Sequence, residues 1–347
     1  MKNILVTGVT GFIGSHTSVE LLENGYKVIG IDNLYNSEID VLDNITKITG
    51  KSIKFYQGDL LDSEILKKIF DENKIDCVIH FAAFKAVGES VLKPIEYYYN
   101  NLGGTLELLN VMKQYECKKF IFSSSATVYG KDNSIPYLEH FKKSATNPYG
   151  YSKVMIEQIL CDVCKADKEF GCVMLRYFNP IGAHKSGLIG ENPKGIPNNL
   201  MPYICDVAIG KREYLSVFGN DYNTIDGTGV RDYVHVVDLA KGHVEAMKYV
   251  LDNNGEVAIN LGTGTGTSVL QLVDTFEKVS GKKINVKICD RRDGDIDEFY
   301  ADTKKAKEIL MLFLKQNQIK LNLKKKAFFS PCFGKKRKGG KALLKKK

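Results

Sequence analysis

Thr7-Gly8-Val9-Thr10-Gly11-Phe12-Ile13-Gly14 is the stretch of this 347-residue chain that decides its fold, because it lies between a short apolar run and a helical pattern. Its glycines, at positions 8, 11 and 14, have the spacing G-x-x-G-x-x-G. A glycine-rich turn lets the backbone approach a pyrophosphate, and the N-terminus of the following helix supplies N–H donors and a favourable dipole. Glycines also serve any tight turn, but their place between a first strand and a first helix predicts a dinucleotide site.

Two acids at the ends of the next strands indicate which dinucleotide the site takes. Asp32 ends the second predicted strand, 18 residues after Gly14. Its carboxylate can accept hydrogen bonds from both hydroxyls of an adenosine ribose and would repel a 2′-phosphate, which favours NAD over NADP. The alternative is a strand-end Asp that caps the next turn. Asp59, after the third strand, is as consistent with an adenine contact as with a plain turn residue.

Strands and helical patterns alternate through residues 2–178. We predict strands at residues 3–7, 27–32, 53–57, 77–81, 120–124 and 172–177, with helices that begin near Phe12, Glu38, Ser63, Pro94 and Tyr149. This alternation is typical of the α/β class, and the short continuous apolar runs indicate strands that are buried on both faces. The sequence therefore predicts a Rossmann-type, doubly wound parallel sheet.

The alternation weakens after Asn179. Gly, Pro and Asn accumulate in residues 180–202, and strand patterns return only at residues 234–237 and 258–261. We therefore predict a smaller C-terminal substrate lobe, with the substrate in a cleft between the lobes. In this division, residues 1–178 and 234–262 form the NAD-binding domain, residues 179–233 and 263–310 form the substrate lobe, and residues 311–347 form an atypical basic tail.

The net charge of +8 comes from that tail, which holds 13 of the 49 basic residues and no acid. The remaining 36 basic residues face 41 acidic ones, a balance of −5, which gives no reason to expect nucleic acid as a partner. Most of the tail cannot bury enough apolar surface to fold, so we expect it to be disordered. No apolar run approaches the ~20 residues that span a bilayer, so no membrane partner is expected.

The eight cysteines and six histidines are dispersed along the chain. Cys161 and Cys164 form a C-x-x-C inside a helical stretch, but no second Cys pair or His lies nearby in the sequence to complete a zinc site. No metal is therefore predicted. Reduced thiols fit a cytoplasmic protein.

A Tyr four residues before a Lys places both side chains on one helix face. The pattern occurs three times, at Tyr115/Lys119, Tyr149/Lys153 and Tyr300/Lys304. The first pair runs into the fifth strand, and the last lies in a charged segment beyond the sheet. The middle pair opens the helix after the fifth strand, which itself ends in Ser123-Ser124-Ser125, at the sheet edge where ligands of such folds bind.

These groups suit hydride chemistry at a carbon that carries a hydroxyl group. A free phenol has a pKa near ~10 and is a poor base at neutral pH. A neighbouring ammonium favours the phenolate, so we expect Lys153 to lower the pKa of Tyr149 while it holds the nicotinamide ribose. Tyr149 would remove the hydroxyl proton as hydride leaves the same carbon for the cofactor. Ser125 would form a hydrogen bond with the reacting oxygen.

Gly8-x-x-Gly11-x-x-Gly14 together with Tyr149-x-x-x-Lys153 resembles the extended short-chain dehydrogenase/reductase family. Over about residues 1–310 the chain is similar to one branch of that family, the UDP-glucose 4-epimerases. The similarity rests on five blocks in order, at residues 80–90 (HFAAFKAVGES), 123–130 (SSSATVYG), 175–180 (LRYFNP), 197–202 (PNNLMP) and 227–233 (GTGVRDY). It implies abstraction of hydride from C4 of a UDP-hexose, rotation of the 4-keto sugar and return of hydride to its other face, with NAD kept bound.

The resemblance also implies site residues and a homodimer through the helices after Pro94 and Tyr149. Besides Ser125, Tyr149 and Lys153, the NAD site would be lined by Gly8, Gly11, Phe12, Ile13, Gly14, Asp32, Asn33, Leu34, Tyr35, Asn36, Ser37, Asp59, Leu60, Phe81, Ala82, Ala83, Lys85, Asn100 and Phe178. The UDP-hexose would contact Ser125, Tyr149, Asn179, Asn199, Leu200, Phe218, Arg231, Arg292 and Phe299. The two arginines suit a diphosphate, because a guanidinium group is a fork that is always charged.

Some features bear on the alternatives. Related dehydratases expel water with an acidic pair after the fifth strand, and Ser125-Ala126-Thr127 at that place disfavours dehydration. Phe299 stands where a Tyr is often found, and its bulk predicts a preference for UDP-galactose. The alternative is a UDP-N-acetylhexosamine 4-epimerase or another UDP-sugar-modifying enzyme of the same fold. The family pattern stops near Leu310, which leaves open an inactive NAD-binding protein.

Residues 262–268 (GTGTGTS) lack the lysine of a P-loop, and we interpret them as a flexible strand-to-helix turn.

Overall fold

The computed structural model describes residues 1–194, 197–292 and 294–311 of the chain. Its strands are β1 (Asn3–Thr7), β2 (Lys27–Asp32), β3 (Lys54–Gln57), β4 (Cys77–His80), β5 (Lys119–Ser125), β6 (Gly171–Tyr177), β7 (Asn179–Ile181), β8 (Leu215–Phe218), β9 (Val230–His235), β10 (Gly255–Leu261), β11 (Gly266–Ser268), β12 (Val286–Cys289) and β13 (Glu298–Phe299). The largest sheet has seven parallel strands in the order β10-β6-β5-β4-β1-β2-β3. The predicted α/β class and parallel sheet are confirmed.

The α-helices mostly follow the strands as predicted. They are α1 (Phe12–Glu23), α2 (Asp40–Thr49), α3 (Ser63–Glu72), α4 (Val87–Leu92), α5 (Pro94–Tyr98), α6 (Gly104–Gln114), α7 (Pro148–Ala166), α8 (Leu200–Ala208), α9 (Val236–Asp252), α10 (Val269–Ser280) and α11 (Lys304–Leu310). A π-helical turn, Tyr99–Gly103, joins α5 to α6, and a 3₁₀ turn, Ala126–Tyr129, follows β5.

Two apolar cores cover the two faces of the large sheet. One contains Val19 of α1, Ile45 of α2 and Leu239 of α9. The other contains Leu66 of α3, Leu108 of α6 and Ile156 of α7. Because both faces are covered, the strands can be apolar throughout, and the doubly wound arrangement that their continuous apolar runs predicted is present.

The remaining strands form two small sheets. β9 pairs with β7, β11 and β13, while β8 pairs with β12. A third core joins α8, β8 and α10 through Ile204, Val217 and Phe276. These elements come mainly from the part of the chain in which the sequence analysis placed the substrate lobe.

One predicted strand is wrong. Residues 234–237 were expected to form a strand, but β9 ends at His235 and α9 begins at Val236. The His235 ring nitrogen Nδ1 accepts a hydrogen bond of 3.2 Å from the Val237 backbone N–H, which caps the helix. A short apolar run does not distinguish a buried strand from the first turn of a buried helix, so only the cap and the packing decide this boundary.

The turn at residues 262–268 joins β10 to α10, as expected for a strand-to-helix turn. Its last residues are β11, and Ser268 forms a capping box with Gln271 at the start of α10. The buried Asp232 carboxylate accepts hydrogen bonds from the backbone N–H groups of Thr263 at 2.7 Å and Gly264 at 3.0 Å. A buried carboxylate needs such donors, so the loop wraps around an internal anion.

Within the described residues, no helix combines the length and apolar character that a bilayer crossing requires. In the same part of the chain, no three His, Cys, Asp or Glu side chains are arranged to hold a metal ion. Six cysteines in this part are free thiols: Cys77, Cys117, Cys161, Cys164, Cys172 and Cys289. The expectation for the basic tail falls, apart from Met311, outside the described residues.

Candidate active site

The glycine-rich turn forms a backbone cradle at the end of β1. Gly8 has φ +68°, and a Cβ there would lie 3.0 Å from the backbone nitrogen of Ala82. A Cβ on Gly14 would lie only 2.2 Å from the Gly8 carbonyl oxygen. Gly11 is the N-cap of α1 and has no side chain to cover the helix N-terminus. The turn therefore leaves the backbone N–H groups at the start of α1, at Phe12 and Ile13, without a capping side chain, as a phosphate site requires.

Asp32 connects this cradle to the loop after β2. Its carboxylate accepts from the Thr10 N–H at 3.1 Å and from the Leu34 N–H at 2.9 Å. Ser37 is buried and its hydroxyl bonds that of Thr10 at 2.6 Å. Asp32 thus does cap a turn, as the alternative interpretation held, and it also faces the glycine turn. In the same loop Asn33, Tyr35 and Asn36 are exposed.

Asp59 lies at the end of β3, opposite the same loop. Its carboxylate accepts from the Asn33 side-chain amide at 2.8 Å and from the Leu61 N–H at 2.9 Å. The neighbouring Leu60 is buried against Gly104. The ends of β2 and β3 are therefore joined by a side-chain contact between two residues of the predicted NAD site.

Further predicted cofactor residues lie after β4 and in the π-helical turn, while Phe178 lies between β6 and β7. Phe81, Ala82 and Ala83 follow β4, and the Ala82 N–H donates to the Thr7 hydroxyl at 3.2 Å. The Asn100 amide donates to the Asn101 side chain at 2.9 Å. Lys85 lies 3.5 Å from Glu191, and the Asn199 amide donates to the same carboxylate at 2.6 Å. This carboxylate therefore joins a predicted cofactor residue to a predicted substrate residue.

Tyr149 and Lys153 lie on one face of α7. The helix begins at Pro148, and the Asn147 side chain caps it by accepting from the Gly150 N–H at 2.9 Å. The Lys153 side chain is buried, and its ammonium nitrogen lies 5.8 Å from the centre of the Tyr149 ring. That nitrogen donates to the Ser123 carbonyl oxygen at 2.7 Å. The predicted convergence of helix and strand end is present.

Burial dominates the pKa values of this pair. It lowers the pKa of Lys153 to about 7, and the negative charge of Glu157 acts in the opposite direction. Burial raises the pKa of Tyr149, and hydrogen bonding to Ser125 opposes the rise. The expected lowering of the Tyr149 pKa by Lys153 is therefore wrong for this arrangement, because the ammonium group is directed at a carbonyl oxygen rather than at the phenol.

Ser125 ends β5 beside Tyr149. Its hydroxyl oxygen accepts from the Thr127 N–H at 3.2 Å and from the Thr127 hydroxyl at 3.0 Å. These bonds cap the 3₁₀ turn and hold the Ser125 oxygen in place. The hydroxyl proton of Ser125 remains available to a neighbouring acceptor.

A buried polar network that was not predicted lies behind Ser125, Tyr149 and Lys153. Glu157, one turn after Lys153, accepts from Arg176 at 2.8 and 2.9 Å and from the Ser124 hydroxyl at 2.6 Å. The Arg176 guanidinium group also donates to the Tyr129 hydroxyl at 2.9 Å. An acid four residues after Lys153 on the same helix was the available signal, but its partner in β6 could not be identified from spacing.

Two of the predicted substrate residues, Arg231 and Arg292, converge on one acid. Arg292 donates to the Asp295 carboxylate at 2.9 Å, and Arg231 lies 3.8 Å from the same group. The Arg292 guanidinium carbon also lies 4.8 Å from the centre of the Phe218 ring. Asp295 was not predicted, and it occupies a place between two guanidinium groups where another anion could bind.

The other substrate candidates lie in the part of the chain that follows β6. Asn179 begins β7 and is in register with Tyr233 of β9. Leu200 is the first residue of α8. Phe299 packs against Tyr137, with ring centres 4.4 Å apart, and against the buried Phe178 at 5.0 Å. An aromatic wall therefore lies beside the strand that follows the Tyr149 helix.

A sequence profile of the GDP-mannose 4,6 dehydratase family matches residues 5–312. The UDP-glucose 4-epimerase of Bacillus subtilis (strain 168) is 59% identical over 307 residues, which is 88% of this chain and 91% of that protein. The UDP-glucose 4-epimerase of Dictyostelium discoideum is 55% identical over 304 residues, 87% of this chain and 88% of that one.

Solved structures agree with this similarity. The UDP-glucose 4-epimerase of Bifidobacterium longum, crystallised with NAD⁺ and UDP, superposes with a TM-score of 0.90 at 52% identity and covers 96% of this chain and 98% of its own. A UDP-Glc/GlcNAc 4-epimerase of Campylobacter jejuni superposes with a TM-score of 0.82 at 34% identity and covers 95% of this chain and 99% of its own.

Proposed function

We propose that this chain, which belongs to the GDP-mannose 4,6 dehydratase family and within it to the UDP-glucose 4-epimerases, interconverts UDP-glucose and UDP-galactose with NAD as its cofactor. The observation that carries this function is the identity of 59% with an epimerase over 88% of the chain. The family profile matches residues 5–312, a stretch that includes every candidate site residue. The convergence of Ser125, Tyr149 and Lys153 at the end of β5 supplies the chemistry.

The residues present fit NAD. Gly14 lies so close to Gly8 that a side chain could not fit there, at the place where a pyrophosphate would meet the N-terminus of α1. Asp32 lies beside this turn and would bind the adenosine ribose. Lys153 would hold the nicotinamide ribose. When bound, NAD supplies a hydride acceptor that also returns the hydride.

The chain's own groups then handle the proton. Tyr149 removes the proton of the C4 hydroxyl group and later returns it, so it acts as base and acid in turn. Ser125 donates a hydrogen bond to the reacting oxygen. Lys153, whose ammonium nitrogen lies 5.8 Å from the centre of the Tyr149 ring, would attract the phenolate once the proton has been removed. Hydrogen bonding to Ser125 opposes the rise that burial causes in the Tyr149 pKa.

Arg231 and Arg292 hold the diphosphate of the nucleotide sugar. Both guanidinium groups already face one carboxylate, that of Asp295. A diphosphate offers more oxygen acceptors and more negative charge than a carboxylate, so the arginines favour it. The hexose then lies between these arginines and Tyr149, next to Phe299.

The family also contains dehydratases, but this site lacks the acid that expulsion of water requires. Ala126 and Thr127 follow Ser125, and the Thr127 hydroxyl is bonded to Ser125. Epimerisation needs only a reversible proton and hydride transfer, so it is the reaction that these groups support.

A second candidate substrate is an N-acetylated UDP-hexose. The similar C. jejuni protein is described as a UDP-Glc/GlcNAc 4-epimerase. Phe299 opposes this reading, because it is bulky and is held between Tyr137 and Phe178. An acetamido group beside it would be crowded.

The proposal includes a cytoplasmic homodimer that acts in galactose metabolism. Leu92 of α4 is 83% exposed, Ile95 of α5 is 78% exposed, and both helices pack on α7. On α7 itself Tyr151 and Met155 are exposed. An apolar face of this kind is typical of an interface between subunits. A monomer by light scattering at micromolar concentration would contradict this part.

The experiment that tests the function is a coupled assay for UDP-glucose formed from UDP-galactose. NAD released from the same purified sample is measured by enzymatic cycling. Turnover together with bound NAD is the expected result. NAD without turnover would overturn the epimerase function and leave an inactive NAD-binding protein, the alternative that the C-terminal sequence raised.

A further inference from the structure

Glu157 occupies an unusual place for an acid. It lies on α7, four residues after Lys153 and eight after Tyr149, and its side chain has 0% exposure. Arg176 of β6 donates two hydrogen bonds to it, at 2.8 and 2.9 Å. Lys143 lies 3.3 Å away. The carboxylate is thus charged, buried and fully engaged.

Two adjacent residues at the end of β5 are bonded to α7. The Ser123 carbonyl oxygen accepts from Lys153 at 2.7 Å, and the Ser124 hydroxyl donates to Glu157 at 2.6 Å. The next residue is Ser125, whose hydroxyl lies beside Tyr149. Glu157 therefore helps to set the position of the strand end relative to the helix that carries Tyr149 and Lys153.

A purely structural role would not require this pair. Removing two opposite charges from water is costly, and well-packed apolar side chains of similar size often stabilise a fold as well or better. The charge of Glu157 does, however, reach Lys153 one helical turn away. The position and sign of that charge suggest a use in the reaction.

We infer that Glu157 is a positioning residue for the epimerisation, which aligns Ser125 with Tyr149 through Ser124 and holds a negative charge one helical turn from the Lys153 ammonium group. The inference rests on the proposed function. Glu157 does not contact the substrate or the cofactor, and it acts through Ser124 and Lys153.

The electrostatic surroundings define the expected effect. Burial lowers the pKa of Lys153 to about 7, and Glu157 is the group that raises it. His80 of β4 also faces Lys153, but burial lowers the pKa of His80 to about 3, so it is neutral. Arg176 and Lys143 face Glu157 from the other side. Loss of the Glu157 charge should therefore make Lys153 lose its proton at a lower pH.

The test is the pH profile of kcat/KM for UDP-galactose in Glu157→Gln. We expect the alkaline limb to move to lower pH by roughly one unit, and kcat at pH 8 to fall about tenfold. Bound NAD and KM should change little. Glu169→Gln, which alters an exposed glutamate of a surface ion pair, is the matched control and should keep the wild-type profile.

Glu157→Gln leaves Arg176 buried without an anion, so a second variant guards against misfolding. Glu157→Gln combined with Arg176→Met removes both charges, and the melting temperature and bound NAD report its integrity. The profile should shift here too, because Lys153 loses the same neighbouring carboxylate. Ser124→Ala removes one bond to Glu157 and keeps the ion pair; it should lower kcat several-fold at constant KM.

Two outcomes with an active wild type would reduce Glu157 to a structural ion pair: unshifted pH profiles in both Glu157 variants, or an unchanged kcat in Ser124→Ala. Either outcome would overturn the inference and leave the proposed function intact. No epimerisation by the wild type would overturn the proposed function, and the inference with it.

Discussion

The Lys153 ammonium nitrogen donates to the Ser123 carbonyl oxygen at 2.7 Å, and this bond joins the start of α7 to the end of β5. Tyr149 lies one turn before Lys153, so the bond also sets where the phenol meets Ser125. The four-residue interval between Tyr149 and Lys153 on α7 and the position of Ser125 at the end of β5 thus bring the three side chains together in one proton-transfer site.

The role of Tyr149 predicts a large loss of turnover in Tyr149→Phe. Only the phenolic oxygen is removed, so NAD should stay bound while kcat falls by orders of magnitude, since general acid–base catalysis contributes about 10²–10⁴-fold. Tyr151→Phe is the matched control, because Tyr151 lies on the same helix and is 44% exposed. Near-normal turnover in Tyr149→Phe, measured in the coupled assay, would exclude Tyr149 as the base.

The position of Asp32 predicts that the cofactor released from the purified protein is NAD. Asp32→Asn can keep the hydrogen bond from the Leu34 N–H, but it removes the charge and the acceptor for the Thr10 N–H, so it should weaken retention of NAD and tolerate NADP better. Asp40→Asn, on the exposed start of α2, should behave as wild type. Recovery of NADP from the wild-type protein would overturn the assignment.

The glycine turn predicts that Gly14→Ala cannot be accommodated. Its Cβ would lie 2.2 Å from the Gly8 carbonyl oxygen, so the turn must open, which should release NAD and lower the melting temperature by several degrees. Gly88→Ala is the control, because an added Cβ there has no atom within 4 Å. Equal NAD content in the two variants would show that the turn does not hold the pyrophosphate.

The packing of Phe299 predicts substrate preference. The wild type should turn over UDP-galactose much faster than UDP-N-acetylgalactosamine, and Phe299→Ala should reduce that ratio because it frees volume between Tyr137 and Phe178. Phe299→Tyr keeps the bulk and should keep the preference. Comparable wild-type rates on both sugars would mean that the site is wider than this wall indicates.

Buried histidines predict loss of stability in acid. Burial lowers the pKa of His16 and His80 to about 3 and that of His235 and His243 to about 4. An unfolded His has a pKa near ~6.5, so the unfolded state binds more protons between the two values. The free energy of unfolding should therefore be highest above pH 6.5 and fall as the pH decreases toward 4.

His16→Gln tests the direction of this pH dependence of the unfolding free energy. The variant should flatten the pH dependence of the unfolding free energy. Between pH 8 and pH 5 the wild type should lose about 2 kcal/mol more of its unfolding free energy than the variant does. The exposed His140→Gln is the control and should leave the curve unchanged. A wild-type protein that is equally stable at pH 5 and pH 8 would contradict the prediction.

The amino-acid sequence by itself determined the features that depend on neighbours along the chain. The strand–helix alternation predicted β1 to β6 to within one or two residues, and the glycine spacing predicted the turn before α1. The four-residue interval between Tyr149 and Lys153 placed them on one helix face. Each depends on a local period or a local turn, which few residues specify.

Only the tertiary structure decided which distant groups meet. It placed Glu157 against Arg176 and Ser124, gathered Arg231 and Arg292 around Asp295, and wrapped residues 263–264 around Asp232. It also paired β9 with β7, β11 and β13. Burial raised the pKa of Tyr149, against expectation. These outcomes depend on burial and on contacts between segments far apart in sequence, and no local spacing encodes the packing that brings them together.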